Sequence, residues 1–240
     1  AATSINAPLG SSTVVDLNGT KHVRFNNLTL NNTAGTYVVR LRGNADSIVI
    51  ENSRLLGDTT STGITAAIAS TGTLTSPTAT GANVDFVYVR NNVIKGGYFG
   101  IALSGNSLTD FDNNVVIENN QLLKQYYYGM RLYLMANVLV KGNTVKGLRN
   151  TFNYGVYTFY TRNMDVESNN IMAGTYGLYL YYPNYNVTVA PAANNKIVNN
   201  MATGATYPSY FYSPRYLNIY HNTFKGGTYG YYSAAATTAG

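Results

Sequence analysis

The sequence predicts an all-β protein folded as a parallel β-helix, a solenoid of about eight complete turns with three short strands in each turn. Three observations predict this fold. A pattern of apolar residues recurs along the chain at intervals of 23 to 39 residues. A polar residue, usually Asn, holds a fixed place inside each copy. An aromatic residue followed by Gly opens a further short segment after several of the copies.

Each copy of the pattern contains two apolar residues two positions apart, a polar residue three positions later, and another apolar residue two positions beyond it. Seven copies keep this spacing, and the copy that starts at Val187 carries three extra residues. A repeat of this length buries its apolar face only against its neighbours, which predicts a solenoid. The copies start at Val23, Ile48, Val87, Val115, Val138, Met164, Val187 and Leu217.

One copy illustrates the three strands of a turn. Val115 and Ile117 alternate with outward residues, as in a short strand with one buried face. The pair Asn119–Asn120 marks a corner, because Asn tolerates left-handed backbone angles better than other residues with a Cβ. Leu122 begins a second inward segment, and Tyr128–Gly129 opens a third.

This pattern resembles the right-handed parallel β-helices of the pectate-lyase-like superfamily. The resemblance covers about residues 12 to 233 and rests on cores such as the segment from Val89 to Ile94, which reads Val-Arg-Asn-Asn-Val-Ile. It implies the right hand of the coil. The superfamily includes lyases, hydrolases, phage spikes and many non-catalytic surface proteins, so the fold does not by itself choose an activity. The Tyr- and Asn-rich composition is also similar to repeat regions of large secreted bacterial surface proteins.

Stacked turns of a β-helix lie about 4.8 Å apart, so equivalent residues lie directly above one another. The recurring Asn is therefore predicted to form a structural ladder, in which each side-chain amide donates to the next carbonyl along the axis. The predicted ladder contains Asn92, Asn120, Asn143, Asn169, Asn195 and Asn222. A second column, outward and alternating in charge, is predicted from Glu51, Arg90, Glu118, Lys141 and Glu167.

The aromatic residues predict an outward stripe on the third strand of each turn. The residues before the recurring Gly are Phe99, Tyr128, Tyr154, Tyr176 and Tyr229. The candidate ligand-binding residues on this stripe are Tyr133, Tyr157, Tyr179 and Tyr181. Two interpretations stay open: rings that stack on one another and stiffen the coil, or a platform for sugar rings or a partner protein.

The resemblance also implies where an enzyme of this fold would place its carboxylates, namely on neighbouring turns. The matching residues are Asp46, Asp85 and Asp112, which could act as an acid/base group or bind Ca²⁺. The following turns place Asn113, Ala136 and Arg162 at the Asp46 and Asp85 position. We therefore treat catalysis, and Ca²⁺ with it, as an alternative only, and expect no catalytic residue, no cofactor and no metal otherwise.

Composition excludes several classes of protein. The chain contains no Cys, so it has neither disulfides nor a thiolate metal site. It contains no stretch of eighteen apolar residues, so we expect no membrane insertion. The 16 basic residues are scattered among 10 acidic ones, which does not favour binding to nucleic acid. A surface rich in hydroxyl, amide and phenol groups favours an extracellular protein that contacts sugars or other proteins.

We expect one domain over residues 1–240, with a partial first turn in residues 1–20 and a loop insertion at residues 71–83. Neither end of the sequence predicts a capping helix, although solenoids need polar caps. The sequence is therefore expected to be a run of a longer solenoid, or to meet other protein chains end to end.

The preferred function is a non-catalytic structural or adhesive β-helix of a bacterial surface protein or filament, located outside the cell or on its surface. The alternative is a carbohydrate-active enzyme or polysaccharide-binding module that acts on an extracellular glycan, as a polysaccharide lyase or glycoside hydrolase if it is an enzyme. Glycans and other protein chains are the expected partners.

Overall fold

The computed structural model describes residues 3–8, 10–186 and 195–235, and its regular elements are all β-strands. No helix in the described part of the chain is long and apolar enough to cross a membrane. In chain order the strands are β1 (Thr3–Asn6), β2 (Thr13–Asn18), β3 (Lys21–Asn26), β4 (Leu28–Asn32), β5 (Tyr37–Arg42), β6 (Asp46–Glu51), β7 (Arg54–Gly57), β8 (Ala66–Ser70), β9 (Asp85–Arg90), β10 (Val93–Lys95), β11 (Phe99–Ser104), β12 (Asp112–Glu118), β13 (Gln121–Leu123), β14 (Tyr128–Lys141), β15 (Thr144–Lys146), β16 (Tyr154–Glu167), β17 (Asn170–Met172), β18 (Tyr176–Pro183), β19 (Asn195–Val198), β20 (Met201–Thr203), β21 (Tyr207–Tyr212), β22 (Leu217–Tyr220), β23 (Thr223–Lys225) and β24 (Tyr232–Ala234).

The strands pair in parallel with their copies on the neighbouring turns, and each turn adds one strand to each of three faces. The first face contains β3, β6, β9, β12, the second halves of β14 and β16, β19 and β22. The second face is the nine-stranded sheet β1-β4-β7-β10-β13-β15-β17-β20-β23. The third face contains β2, β5, β8, β11, the first halves of β14 and β16, β18, β21 and β24.

The predicted parallel β-helix with three strands per turn is confirmed. The nine strands of the second face give about nine turns, slightly more than the eight predicted. In two turns the third strand continues without a break into the first strand of the next turn, which produces the 14-residue strands β14 and β16.

The core is a set of apolar columns that run along the coil axis. On the first face, Val87, Val115, Val138 and Met164 lie one above the other, and each is at most 3% exposed. Burying one such side chain contributes roughly 1.5–3 kcal/mol. Because each inward residue packs against its copies above and below, the repeat spacing alone sets which residues touch.

The corner between the first and second faces uses left-handed backbone angles in every described turn. Asn holds this position in most turns, because its short polar side chain tolerates a positive φ. The residues are Asn27, Asn52, Asn91, Asn119, Gly142, Ser168, Asn199 and His221, with φ between 50° and 63°. His221 therefore has a structural position at this corner.

A buried asparagine ladder follows this corner along the axis. Each Nδ2 donates to the Oδ1 of the next Asn at 2.9–3.0 Å and also to a backbone carbonyl oxygen of the preceding turn. Each Oδ1 accepts a second hydrogen bond from a backbone amide. The members are Asn92, Asn120, Asn143, Asn169, Asn200 and Asn222.

Asn195 is not a member of this ladder, which corrects the sequence prediction. It lies at the first core position of β19, and its Oδ1 accepts a hydrogen bond from the backbone amide of Met164. Asn200 takes the ladder position between Asn169 and Asn222.

The sequence prediction assigned the ladder to Asn195 because it gave the seventh copy of the repeat three extra residues, whereas this copy has the regular spacing. The prediction placed its start at Val187, but Val187 and Val189 fall in residues 187–194, outside the described residues. Ile197 pairs with the core residue Val166 of the preceding turn. The copy therefore reads Asn195, Ile197, Asn200 and Ala202, with Asn and Ala where other copies carry larger apolar residues.

The alternating charges on the first face lie in register on consecutive strands. Glu51, Arg90, Glu118, Lys141 and Glu167 are successive partners. Two neighbouring pairs are close enough to form ion pairs: Arg90 Nε lies 2.7 Å from Glu51 Oε2, and Lys141 Nζ lies 3.4 Å from Glu167 Oε2.

The long connection between β8 and β9 occupies the place of the predicted insertion. Its residues, 71–84, form no strand, and Thr71 at its start is fully buried. The loop therefore leaves the coil at the edge between the third and first faces.

Candidate functional site

Aromatic rings cover the outward side of the third face in columns that run along the axis. In the first column, neighbouring ring centroids are 4.7–5.7 Å apart and neighbouring ring planes agree within 11°. This spacing follows from the strand spacing of about 4.8 Å. The column contains Phe99, Tyr128, Tyr154, Tyr176, Tyr207 and Tyr229.

Two shorter columns lie beside the first, and we call the three together the tyrosine face. The second column has centroid distances of 4.6–5.1 Å and contains Tyr157, Tyr179, Tyr210 and Tyr232. The third has centroid distances of 4.5–5.3 Å and contains Tyr133, Phe159, Tyr181 and Tyr212, with Phe159 edge-on to Tyr181 at 73°. The four tyrosines singled out from the sequence, Tyr133, Tyr157, Tyr179 and Tyr181, are all members of these two columns.

Sequence reasoning missed part of the tyrosine face. Tyr207 was not recognised because Pro208 follows it where the other turns have Gly, and Tyr210 and Tyr212 were missed with it. A spacing rule would have found all three. In the turn of Tyr176, the outward aromatic residues Tyr176, Tyr179 and Tyr181 lie at relative positions 0, 3 and 5. Tyr207, Tyr210 and Tyr212 repeat this spacing in the next turn.

Stacking decides what the tyrosine face can offer a ligand. Tyr179 is sandwiched between Tyr157 and Tyr210, with its ring plane 1° from that of Tyr210. The flat faces of such rings are covered by their neighbours, so the surface presents ring edges and hydroxyl groups. A sugar ring that stacks on an aromatic residue needs an open ring face. Each stacked pair contributes about 0.5–1.5 kcal/mol beyond its buried area, which stiffens this side of the coil.

The tyrosine face is electrically neutral apart from one guanidinium. Burial raises the pKa values of Tyr128, Tyr154 and Tyr179 well above the ordinary 10.0, and neighbouring phenols add to the rise. Arg131 lies 5.1 Å from the ring centre of Tyr133 and is mostly buried among the rings. These phenols therefore keep their protons at physiological pH and can donate hydrogen bonds.

The acidic candidates lie at the start of the first-face strands, where Asp46 and Asp85 are direct partners on β6 and β9. The backbone amide of Asn113 donates to Asp85 Oδ1 at 2.5 Å, and Ser47 Oγ lies 2.9 Å from Asp46 Oδ1. Asp46 and Asp85 thus occupy equivalent positions on adjacent strands. Each has a local hydrogen-bond partner.

Asp112 does not join them on the surface, which corrects its proposed place in an exposed acidic group. Its side chain is fully buried, and its Oδ2 accepts a hydrogen bond from the backbone amide of Val84 at 2.9 Å. Burial raises the pKa of Asp112 to about 7, and the charges of Asp85 and Asp110 add to the rise. A polysaccharide on the surface cannot reach this carboxyl group, so it has a structural position.

Metal-ligating side chains are dispersed over the coil. His22 lies in β3 near one end and His221 follows β22 near the other. Met130, Met135 and Met164 are buried in the core, whereas Met172 and Met201 are exposed on the second face. Within the described residues, no group of three or more His, Cys, Asp or Glu is placed to hold a metal ion.

Comparison with known protein families finds a match to the family described as periplasmic copper-binding protein (NosD), over residues 75–238. The search of curated proteins and the search of solved structures found no match. The family description is that of a periplasmic protein, which is consistent with a location in the cell envelope or outside the cell, a coarser statement than the cell-surface location expected from the sequence. Because the match covers more than half of the chain and the family is one of parallel β-helices, this chain belongs to the NosD family.

Proposed function

We propose that this chain is a rigid, non-catalytic β-helix outside the cytoplasm that serves as a structural and adhesive element. The observation that carries the proposal is the first column of the tyrosine face, which stacks from Phe99 to Tyr229. With the asparagine ladder along another edge, it ties each turn to the next by side chains as well as by strand pairing. Such a coil resists bending over the turns from Phe99 to Tyr229.

The adhesive part of the proposal depends on the hydroxyl edges of the tyrosine face. Tyr157, Tyr179 and Tyr181 are half-buried, and their neutral phenols point a row of hydrogen-bond donors and acceptors outwards. A phenol combines an apolar body with a polar tip, which suits contact with the polar surface of a glycan or another protein.

The alternative, a carbohydrate-active enzyme, has weaker support. It requires solvent-accessible carboxylates on neighbouring turns, and of the three candidates only the half-buried Asp46 and Asp85 are accessible, because Asp112 is fully buried. General acid/base chemistry needs two groups with different pKa values that both reach the substrate.

Copper binding, named in the family description, is not part of the proposal. Copper takes imidazole nitrogen and thiolate or thioether sulfur in proteins. The chain has no Cys, its two His lie at opposite ends of the coil, and three of its five Met are core residues. The donors that this chain offers do not fit a copper site. Metal analysis after incubation with Cu(I) or Cu(II) and dialysis should find less than one copper per chain.

Two measurements test the proposal. Incubation with neutral and acidic polysaccharides, with and without Ca²⁺, should give no cleavage products. Hydrogen exchange should show protected amides along the whole coil, since every described turn is tied to its neighbours. Cleavage that disappears in Asp85→Asn would overturn the non-catalytic assignment, and fast exchange within the turns from β11 to β21 would overturn the structural one.

A further inference from the structure

The second face carries a groove of about 590 Å³ on its outward side, and none of the groove's lining residues belongs to the tyrosine face. Its lining includes four basic residues, Arg54, Lys95, Lys124 and Lys146. They come from four consecutive turns: Arg54 lies in β7, Lys95 in β10 and Lys146 in β15, and Lys124 directly follows β13. We call this feature the basic groove. At the strand spacing of about 4.8 Å it extends roughly 14 Å along the axis.

Two outward columns build the floor of the basic groove. Leu123 pairs with Lys95 on one side and with Lys146 on the other, so an apolar side chain separates the two cations. In the neighbouring column Val93 lies between Arg54 and Gln121. The column with Lys95 and Lys146 therefore alternates cationic and apolar groups, and the neighbouring column places Val93 between a cation and a neutral amide.

Nothing acidic offsets these cations on the same face. The chain has ten acidic residues, all of them in the described part, and none is in a strand of the second face. Two of them, Asp58 and Asp110, lie in loops. The other eight lie in strands of the first or third face: Asp16, Asp46, Glu51, Asp85, Asp112, Glu118, Asp165 and Glu167. The loop carboxylate nearest in sequence, Asp58, accepts hydrogen bonds from Thr60 and Ser61 of its own loop.

The groove cations are also free of ion pairs within the described residues. The ion pairs found there use Arg24, Arg40, Arg42, Arg90 and Lys141. Arg54, Lys124 and Lys146 are exposed. A row of unneutralised cations with apolar groups between them attracts an anionic ligand that has apolar surface of its own.

We propose that the basic groove binds a linear anionic polysaccharide, whose carboxylate or sulfate groups contact Lys95, Lys124 and Lys146. The apolar faces of its sugar rings would lie on Val93 and Leu123. The inference uses the extracytoplasmic location from the proposed function and adds a ligand class and a site. It does not depend on the tyrosine face.

Two other polyanions fit the groove less well. None of the lining residues is aromatic, whereas single-stranded nucleic acids bind through bases stacked on aromatic side chains. A membrane surface favours protruding side chains, with Tyr and Trp at the interface, and the basic groove is concave and without them.

The test compares two variants that change the net charge equally. Lys95→Gln/Lys146→Gln removes two cations from the groove. Lys21→Gln/Lys196→Gln removes two from β3 and β19 on the first face. The probes are dextran sulfate and alginate, with unsulfated dextran as the neutral control and with duplex DNA and anionic vesicles as competing polyanions. Binding is measured by titration calorimetry at low and high salt. Melting curves establish that both variants are folded.

The expected result is binding of dextran sulfate or alginate but not of dextran, weakened by salt. The groove variant should lose roughly tenfold in affinity for each lysine, and the control variant about twofold or less. An equal loss in both variants, or binding of dextran, would overturn the inference. Tighter groove-dependent binding of duplex DNA or of anionic vesicles would also overturn it. If the groove does not bind anionic polysaccharides, the proposed non-catalytic function still stands. If the protein cleaves a glycan, the non-catalytic function is wrong, but the proposed binding in the basic groove is unaffected.

Discussion

Asn120 donates from Nδ2 to Asn143 Oδ1, 3.0 Å away on the next turn, and both side chains are about 1% exposed. The same Oδ1 accepts the backbone amide of Asn120 at 2.9 Å, and the Nδ2 of Asn143 donates to the carbonyl oxygen of Ile117. The side-chain amide of Asn143 thus pairs with two buried donors and one buried acceptor of the preceding turn, where water does not reach. The ladder fixes the register of the turns because a shift would leave these groups unpaired.

Asn143→Ala should be strongly destabilising. It leaves two donors of Asn120 and the carbonyl oxygen of Ile117 buried without this partner, at a cost of about 3 kcal/mol. Chemical denaturation measures the loss. Gln121→Ala, which truncates an exposed amide on the second face, is the control and should change stability by less than about 0.5 kcal/mol. Equal losses in the two variants would show that the ladder does not hold the turns together.

The tyrosine face should depend on ring stacking for stability and on hydroxyl groups for adhesion. Tyr179→Ala removes a ring that contacts Tyr157 and Tyr210, and we expect a loss of about 2 kcal/mol. Tyr179→Phe keeps the ring and should stay within about 0.5 kcal/mol of the parent protein. Thermal melting distinguishes the two, and similar losses in both variants would contradict the stacking interpretation.

The first-face charges should contribute unequally, although they occupy one column. Glu51 contacts both Arg24 and Arg90, and hydrogen bonding to Arg90 holds the pKa of its carboxyl group below the usual range. Glu51 is itself only 3% exposed, but the side chains of Arg24 and Arg90 are 61% and 37% exposed, so salt should partly screen both ion pairs. Glu51→Gln is therefore expected to lower the melting temperature more than Glu118→Gln, with a smaller difference in 1 M salt. A larger effect of Glu118→Gln would contradict this ranking.

The sequence predicted the coil because its period is carried by residues that touch their own copies. The prediction failed where a turn keeps a structural position but fills it with a different type of residue. Asn195 fills a core position usually held by Val or Ile, so the ladder was assigned to Asn195 instead of Asn200. Pro208 hid a turn of the tyrosine face for the same reason.

Two features of the candidate sites could not be predicted from the sequence. Asp112 precedes its strand core by one residue more than Asp46 and Asp85 do, and the left-handed residue Asn114 (φ 61°) breaks the strand alternation between Asp112 and Val115, so that both side chains lie inward. The basic groove joins residues as distant as Arg54 and Lys146, and the sequence shows them only as scattered charges. Both depend on which way a side chain points and on which turns are neighbours.

Asp112 should make the stability of the coil fall as pH rises. Its pKa is about 7 in the folded protein against an ordinary value of 3.8, so the folded state holds a proton that the unfolded state has released. Its favourable contribution is complete below about pH 4 and is lost as pH rises to about 7, on the order of 1 kcal/mol per pH unit. Asp112→Asn keeps an oxygen that can accept from Val84, carries no charge, and should flatten this slope. Urea denaturation at pH 4.5 and 7.5 measures both proteins, and parallel slopes would show that Asp112 is not the group responsible.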